Sequence, residues 1–207
     1  MVKEIRIYVE GGGNDNPSRR LIRAGFSQFL DPLRQIARER GVRWEVIPCG
    51  PRPTALEKFR TAVKVHPDAL VVLLVDAETR VEGTPRDHLR RKDNWNVTGL
   101  PDEQLHLMVQ VVEAWLVADL DTLASYYGKG FLRNALPKQQ DVEAIPKDQL
   151  EKALDRATKK TQKRRYRKIA HCADLLALID CHKVRQRAKH CDRLFTFLES
   201  RLTEKSP

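Results

Sequence analysis

The sequence lacks any apolar run long enough to cross a membrane, and its first residues lead straight into a strand pattern. We therefore expect neither a membrane span nor a cleaved signal or transit peptide. It also has few cysteines, four in 207 residues, and no CxxC or HxxxH spacing supports a zinc site. Small buried thiols, kept reduced in the cytoplasm, are favoured over zinc at the three Cys/His pairs His171-Cys172, Cys181-His182 and His190-Cys191. No internal repeat is present.

Positive charge, by contrast, is abundant. The chain has 38 Lys and Arg against 28 Asp and Glu, a formal charge of +10. Such an excess suggests an anionic partner, most simply nucleic acid. An apolar content of 41% in 207 residues is typical of a globular chain with one sizeable domain, or a domain and a small appendage.

The most informative stretch is LVVLLVDAE, residues 70–78. An unbroken Val/Leu run of this length predicts a strand buried on both faces, as in a parallel sheet. It ends in Asp76 and Glu78, where open α/β sheets place their ligands. Two carboxylates about 4 Å apart repel by about 4 kcal/mol at an effective dielectric of 20, which a divalent hard cation can offset. The alternative is an acidic, solvated turn after a core strand.

Strand and helix patterns alternate before this stretch. The first strand ends at Glu10, a helical segment with a break at Asp31-Pro32 follows, and a second strand covers 42–48. Thr54 is a plausible N-cap for a helix over 55–65. This order predicts right-handed crossovers and an α/β fold with a mostly parallel central sheet flanked by helices.

Beyond the central strand we interpret residues 79–102 as a long polar loop, a lid or substrate contact anchored by Trp95. A fourth strand follows over 105–111, then one helix over 112–127, which places Glu113 at another strand-to-helix junction. Residues 135–147 have the composition of a linker. Helices over 149–157, 170–179 and 184–202 then predict an α-helical C-terminal region. The boundaries are therefore 1–134 for the α/β domain and 135–207 for the basic helical region.

Three glycines, Gly11 to Gly13, follow Glu10. They do not form a dinucleotide-binding fingerprint, because no third glycine stands at the required offset. A carboxylate just before them would also repel a pyrophosphate. Glycines beside an acid at a strand end instead leave room for a metal and a nucleic-acid backbone to approach closely.

The chain resembles two families at these positions. A strand ending in Glu-Gly, an acid a few residues later, and a later strand ending in Asp-x-Asp/Glu resemble the Toprim domain of topoisomerases, primases and nucleases of the overcoming-lysogenization-defect (OLD) type. YVEGGG, VVLLVDAE, HLMVQVVEAWLVAD and ATKKTQKRRYRK are similar to the bacterial domain-of-unknown-function 4276 family over nearly the whole chain.

The Toprim resemblance implies that Glu10 is the catalytic acid/base or a metal ligand and that Asp76 and Glu78 bind Mg²⁺ or Mn²⁺. The acid expected four residues after Glu10 is replaced by Asn14, so Asp15, one place later, is the predicted metal ligand at this end. Glu113, with Asp119 behind it, matches the E-A-W-x-x-A-D pattern of the second family, as a metal ligand or as an interface charge.

The basic segment 156–168, RATKKTQKRRYRK, contains eight Lys or Arg and no acid. It is either a solvated surface or a phosphate-contacting one, and the aromatic Tyr166 and the net charge favour the latter. The expected nucleic-acid contacts are Lys159, Lys160, Lys163, Arg164, Arg165, Arg167 and Lys168. A catalytic cation is also needed beside a metal, and Lys168, Arg165 and His171 are candidates.

These features predict a Mg²⁺-dependent nuclease that hydrolyses phosphodiester bonds in DNA or RNA. The family resemblance implies bacterial defence against phage or plasmids, together with a separately encoded ABC- or AAA-type ATPase. Two alternatives remain open: a non-catalytic nucleic-acid-binding or scaffold subunit, which the substitution at Asn14 favours, and a primase-type nucleotidyl transferase.

Overall fold

A computed structural model of the chain describes residues 2–204. Its four strands are β1 (Glu4–Val9), β2 (Arg43–Pro48), β3 (Ala69–Asp76) and β4 (Leu105–Met108). They form one all-parallel sheet in the order β2-β1-β3-β4. Its helices are α1 (Asn16–Phe29), α2 (Asp31–Glu39), α3 (Arg52–Val65), α4 (Pro85–Asp93), α5 (Glu113–Ala118), α6 (Leu120–Tyr127), α7 (Lys147–Thr158), α8 (Ala170–Leu176), α9 (Cys181–Arg187) and α10 (Lys189–Thr203).

The Val/Leu run predicted as a buried strand is β3, which lies in the interior of the sheet between β1 and β4. Its alternating side chains enter two separate cores. Val71, Leu73 and Val75 pack with α3 and α4 on one face, whereas Val72 and Leu74 pack with α1, α2 and α5 on the other. Burial on both faces is why this strand has no polar residue before Asp76, and it confirms the predicted fold class.

The C-terminal helices share a core with the sheet. Phe195 of α10 lies edge-on to Phe29 of α1 with ring centroids 5.7 Å apart, and Phe29 stacks on Trp115 of α5 at 5.3 Å. Such aromatic pairs contribute about 0.5–1.5 kcal/mol beyond the area they bury. The helical region therefore packs into the same core as α1 and α5.

Four predicted boundaries were wrong. The helix α3 begins at Arg52, so Thr54 is not its cap. The strand β4 ends at Met108, although the carbonyls of Met108 and Gln110 still accept hydrogen bonds from the amides of Ala77 and Glu78. The helix predicted over 112–127 is two helices, divided at Asp119, whose side chain caps α6. The helix predicted over 184–202 is divided at Ala188.

Two segments predicted to be irregular are packed instead. Residues 79–102 contain α4, whose residues His88 and Leu89 are buried, and Val97 in the segment after the helix is also buried. Within 135–147, interpreted as a linker, Val142 and Ile145 are fully buried. The apolar residues of these two segments are too few to show a helix or strand period in the sequence. Their buried residues nevertheless pack into cores formed by distant elements. Across residues 2–204, no helix is both long and apolar enough to span a membrane.

Candidate functional site

Three carboxylates meet at the carboxyl edge of the sheet. Glu10 directly follows β1, Asp76 ends β3, and Glu78 follows two residues later. One oxygen from each of these side chains lies within 4.8 Å of the other two. The parallel arrangement brings the ends of neighbouring strands together, so the two predicted acidic strand ends form one cluster.

Asp76 is the least neutralised of the three. Its Oδ1 accepts a hydrogen bond of 2.8 Å from the amide of Val112. Within residues 2–204, no basic side chain lies within ion-pair distance of its carboxylate. Burial, with repulsion from Glu10 and Glu113, raises the pKa of Asp76 well above its usual range. A bound cation would reverse this unfavourable balance.

Glu10 is held by a half-buried arginine. Its Oε2 accepts hydrogen bonds from Nη1 of Arg52 and from the amide of Asp76, both at 3.1 Å. Burial raises the pKa of Glu10, and Arg52 counteracts part of that rise. The carboxylate is thus fixed in orientation and has an increased affinity for a proton.

Arg52 itself is fixed from the other side by α4 and the segment after it. Its Nε and Nη2 donate to the two carboxylate oxygens of Asp93 at 3.0 and 2.6 Å. Its guanidinium lies over the ring of Trp95, 4.9 Å from the centroid. Sequence reasoning missed Arg52 by treating GPRP as a turn only. The available signal was that Arg52 follows the carboxyl end of β2.

Glu78 is positioned by strain and by a lysine. Its backbone φ is +66°, a left-handed conformation that costs a non-glycine residue about 1–2 kcal/mol. Its Oε2 forms an ion pair with Lys147, the first residue of α7. Lys147 was also missed, and it gave no sequence signal, because its segment had the composition of a linker.

Glu113 faces the same cleft from the start of α5, whereas Asp119 does not. The hydroxyl of Tyr166 donates to Oε1 of Glu113 at 3.1 Å, and burial raises the pKa of Glu113. Asp119 instead accepts from Lys183 and from the hydroxyl of Thr122, both at 2.7 Å. The two acids of the E-A-W-x-x-A-D pattern therefore differ in role: Glu113 lines the cleft, whereas Asp119 bonds to side chains of neighbouring helices.

The glycine turn and its flanking residues shape one wall of the cleft. A Cβ on Gly50 would lie 2.4 Å from the carbonyl oxygen of Gly13, so only glycine allows this close approach. Asn14 lines the cleft. Asp15, predicted as a metal ligand, instead caps α1 by accepting from the amide of Ser18 at 2.8 Å, and it is not part of the carboxylate cluster.

The cleft has a volume of about 350 Å³ and includes Glu10, Asp76, Glu113 and Lys168 in its lining. Lys168 also pairs with Glu151 at 2.8 Å. Of the other predicted cations, Arg165 pairs with Asp155 outside the cleft, and His171 is buried against Tyr127. Only Lys168 among the three candidates reaches the acidic edge.

The basic segment 156–168 forms the end of α7 and the irregular chain leading to α8. The side chains of its predicted phosphate contacts are exposed: Lys159, Lys160, Lys163, Arg164, Arg165, Arg167 and Lys168. Some of them have internal partners, since Lys163 lies 4.3 Å from the ring centroid of Tyr126 and Arg167 donates to His171 at 3.2 Å. All four cysteines are buried and unpaired with one another.

A search of the curated proteins and a search of the solved structures each found no match to the chain. A scan against family models, in contrast, found a match that extends from the last residue of β1 into α10. That match, to the family described as "Domain of unknown function (DUF4276)", covers residues 9–199 and includes every residue of the cleft, so the chain belongs to this family.

Proposed function

We propose that this protein is a Toprim-type nuclease that hydrolyses phosphodiester bonds in DNA or RNA with Mg²⁺ or Mn²⁺. The observation that carries the proposal is the convergence of Glu10, Asp76 and Glu78 within 4.8 Å at the carboxyl edge of a parallel sheet. Three carboxylates this close repel one another, and a bound cation would offset the repulsion that Arg52 and Lys147 leave. The raised pKa of Asp76, caused by burial and by its acidic neighbours, supports the same conclusion.

The residues of the cluster fit a hard divalent metal. All three donors are carboxylate oxygens, the ligand type that Mg²⁺ and Mn²⁺ prefer. A metal held there would supply Lewis acidity and offset the charge that develops on a phosphate. Glu113 adds a fourth acid at the back of the cleft, where it would orient water or a second ligand group.

The remaining side chains supply positioning and charge. Arg52 and the amide of Asp76 orient Glu10, which would accept a proton from the attacking water. Lys168 and Lys147 approach the acids from the helical side of the cleft and would offset charge on the phosphate. The net charge of +10 would attract the polyanionic substrate.

A cleavage assay tests this proposal directly. End-labelled single-stranded and duplex DNA and RNA are incubated with the protein in Mg²⁺, in Mn²⁺ or in EDTA. We expect metal-dependent products, reduced at least about 100-fold by Asp76→Asn or Glu10→Gln. Asp148→Asn, an exposed acid on α7 away from the cleft, is the matched control and should cleave as the wild type does. Equal cleavage by Asp76→Asn and wild type would exclude this site.

The salt dependence of binding tests the basic segment. Replacing Lys159, Lys160 and Arg164 with Ala should flatten the slope of log affinity against log salt by about 0.9 for each lost phosphate contact on duplex. The control triple, Arg38, Arg40 and Lys64, is also exposed but lies at the opposite, amino end of the strands. Equal slopes for the two triples would show that the nucleic acid binds elsewhere.

We also propose that the nuclease is the effector of a bacterial defence system and acts with an ABC- or AAA-type ATPase. This part rests on the resemblance to OLD-type nucleases, which fuse the two activities. Co-purification from the native host, with the gene neighbourhood as a second observation, tests it. Finding no ATPase by either route would remove the defence-complex role and leave the cleavage proposal standing.

A non-catalytic nucleic-acid-binding subunit is the second candidate. It is favoured by the ion pair that already joins Lys147 to Glu78 and by the use of Asp15 as a helix cap. Both leave fewer free carboxylates for metal than the Toprim pattern contains. Nucleic-acid binding that is unaffected by Mg²⁺, with no cleavage of any substrate, would support this candidate.

A further inference from the structure

A second cavity lies beside α4, on the face of the sheet covered by α3 and α4. It is an open pocket of about 620 Å³ between α4 and the chain on either side of it. This volume lies within the range of small-molecule sites. The residues that matter here are Arg90, Arg91, Asn94, Trp95 and Asn96.

Trp95 connects this pocket to the catalytic cluster. The guanidinium of Arg52 lies over its ring, and the same guanidinium donates to Glu10 at 3.1 Å. The ring is partly buried and packs against the core that contains Leu89 and Val97. Trp95 is thus shared between the pocket and Arg52, the residue that donates to the acid proposed to activate water.

The charges of the pocket favour a neutral ligand group over a phosphate. The two arginines of its lining are balanced by two acids, Glu82 and Asp87. The pocket therefore lacks the net positive charge that phosphate binding uses, which lies instead in the segment 156–168. An aromatic ring with polar neighbours and no net charge suits a nucleobase, because every base presents a π-face.

Polar groups able to contact a base edge are also present. Asn96 Oδ1 accepts from the amide of Thr98 at 3.1 Å, which fixes the side chain and leaves its amide nitrogen to donate. Asn94 is exposed and has a left-handed backbone, φ +54°, at the C-terminal end of α4. Asparagine side chains pair with base edges in many protein–nucleic acid complexes.

We infer that this pocket binds an unpaired nucleobase of the substrate by stacking on Trp95, so that the enzyme acts on single-stranded nucleic acid or single-stranded ends. The inference rests on the proposed nuclease function and assigns its substrate class. A strand with a base at Trp95 has its backbone beside Arg52 and the acidic edge. Its continuation on the opposite face of the sheet then meets the basic segment 156–168.

Intrinsic tryptophan fluorescence tests the inference without cleavage. The full-length protein in EDTA is titrated with nucleoside 5′-monophosphates, a five-nucleotide oligodeoxythymidine, and a blunt duplex. We expect saturable quenching by the single strand and little by the duplex, whose bases are paired. Trp115 is fully buried and cannot contact a base. Trp44→Phe, on the edge strand β2, should leave the quenching unchanged.

Variants read by anisotropy of a labelled oligonucleotide complete the test. Trp95→Ala should weaken single-strand binding by about 5- to 150-fold, and Trp95→Tyr should restore most of it. Trp95→Leu keeps an apolar contact with the core and should bind as weakly as Trp95→Ala, which separates stacking from loss of fold. Absence of quenching in the wild type, equal quenching by duplex, or wild-type affinity in Trp95→Leu would overturn the inference.

These results remain distinguishable from a failure of the proposed nuclease function. A protein that is quenched by single strands but cleaves nothing keeps the base pocket and loses the catalytic proposal. A protein that cleaves in Mg²⁺, and whose Trp95→Leu variant binds and cleaves as the wild type does, keeps the catalytic proposal and loses the base pocket.

Discussion

Buried or half-buried acids occur in two regions of this molecule, and the side chains around them differ in charge. Away from the cleft, Asp119, between α5 and α6, accepts from Lys183 at 2.7 Å, and Glu143 accepts from Nδ1 of His190 at 2.6 Å. At the carboxyl edge of the sheet, Asp76 instead lies near two other acids, Glu10 and Glu113. Asp119 and Glu143 each have a basic partner, whereas Asp76 and Glu113 have no ion-pair partner within residues 2–204.

The pKa values follow this difference. Burial favours the neutral form of Asp119, but hydrogen bonds from Lys183 and Thr122 outweigh it and lower its pKa. For Asp76, burial and acidic neighbours act in the same direction and raise the pKa well above its usual range. Burial alone therefore does not identify a functional acid. A buried acid whose neighbours are also acidic is a stronger candidate, because its charge is neutralised only by a proton or by a bound cation.

The largest expected contrast is in the response to metal. Saturating Mg²⁺ or Mn²⁺ at about 100 times its dissociation constant should stabilise the wild type by about 2.7 kcal/mol, through binding to the native state. Asp76→Asn should abolish this gain, and Asp119→Asn should retain it. Thermal melts with and without metal measure both. A gain that persists in Asp76→Asn would remove the metal site from this edge.

The second contrast is in stability without metal. Asp119→Asn should destabilise the protein by about 1.5–3 kcal/mol, because the amide loses charge-assisted hydrogen bonds from Lys183 and Thr122. Asp76→Asn should leave the metal-free protein as stable as the wild type or more so, since it removes repulsion. Urea unfolding in EDTA gives the two values, with Asp121→Asn, a mostly exposed acid, as the control. Equal losses in the two variants would erase the distinction.

The pH dependence sharpens the same comparison. The folded-state pKa of Asp76 is raised. At pH values between the unfolded and the folded pKa, the folded protein therefore still holds a proton that the unfolded chain has released. Stability from this group is therefore present at low pH and lost as pH rises, by at most about 1.4 kcal/mol per pH unit. In EDTA, the stability of Asp76→Asn relative to wild type should increase between pH 5.5 and 8.

Comparing Asp76→Asn with the wild type removes the contribution of His106, which titrates in the opposite sense. Burial lowers the pKa of His106 to about 3, so its contribution to stability is lost as pH falls below 6.5. Both proteins share this term, and it cancels in the comparison. A relative stability that stays constant or falls with rising pH would contradict the raised pKa of Asp76.

The smallest effect concerns Lys147. Its ammonium forms an ion pair with the Glu78 carboxylate, so a metal must compete with the lysine for that carboxylate. Lys147→Met should raise metal affinity by up to about fivefold, the range expected for a partly exposed ion pair. Lys152→Met, which breaks the exposed pair with Asp148 on the same helix, should not change it. Metal titrations followed by thermal shift measure the ratio, and weaker metal binding in Lys147→Met would show that the lysine assists the site instead.

The acidic edge was predictable as far as it follows strands. Glu10, Asp76 and Glu113 each stand at the end of an apolar strand or its junction with a helix, and parallel strands collect such ends at one edge. The boundaries at Asp119 and Ala188 were not predictable, because the apolar periods continue through them. There, a capping side chain and the packing of α9 against α10 decide where the helix is divided.

The sequence by itself determined the α/β class, the central strand, and which acids stand at the carboxyl edge. The length and spacing of apolar residues indicate buried strands, and the alternation of strands with helices indicates a parallel sheet. Only the tertiary structure decided what surrounds those acids. Arg52, Lys147 and Tyr166 lie 42, 69 and 53 residues from their partners Glu10, Glu78 and Glu113. Ion pairs and hydrogen bonds depend on distance in the folded structure, not on separation along the chain. A local sequence pattern therefore does not show which distant side chain will lie beside a given carboxylate.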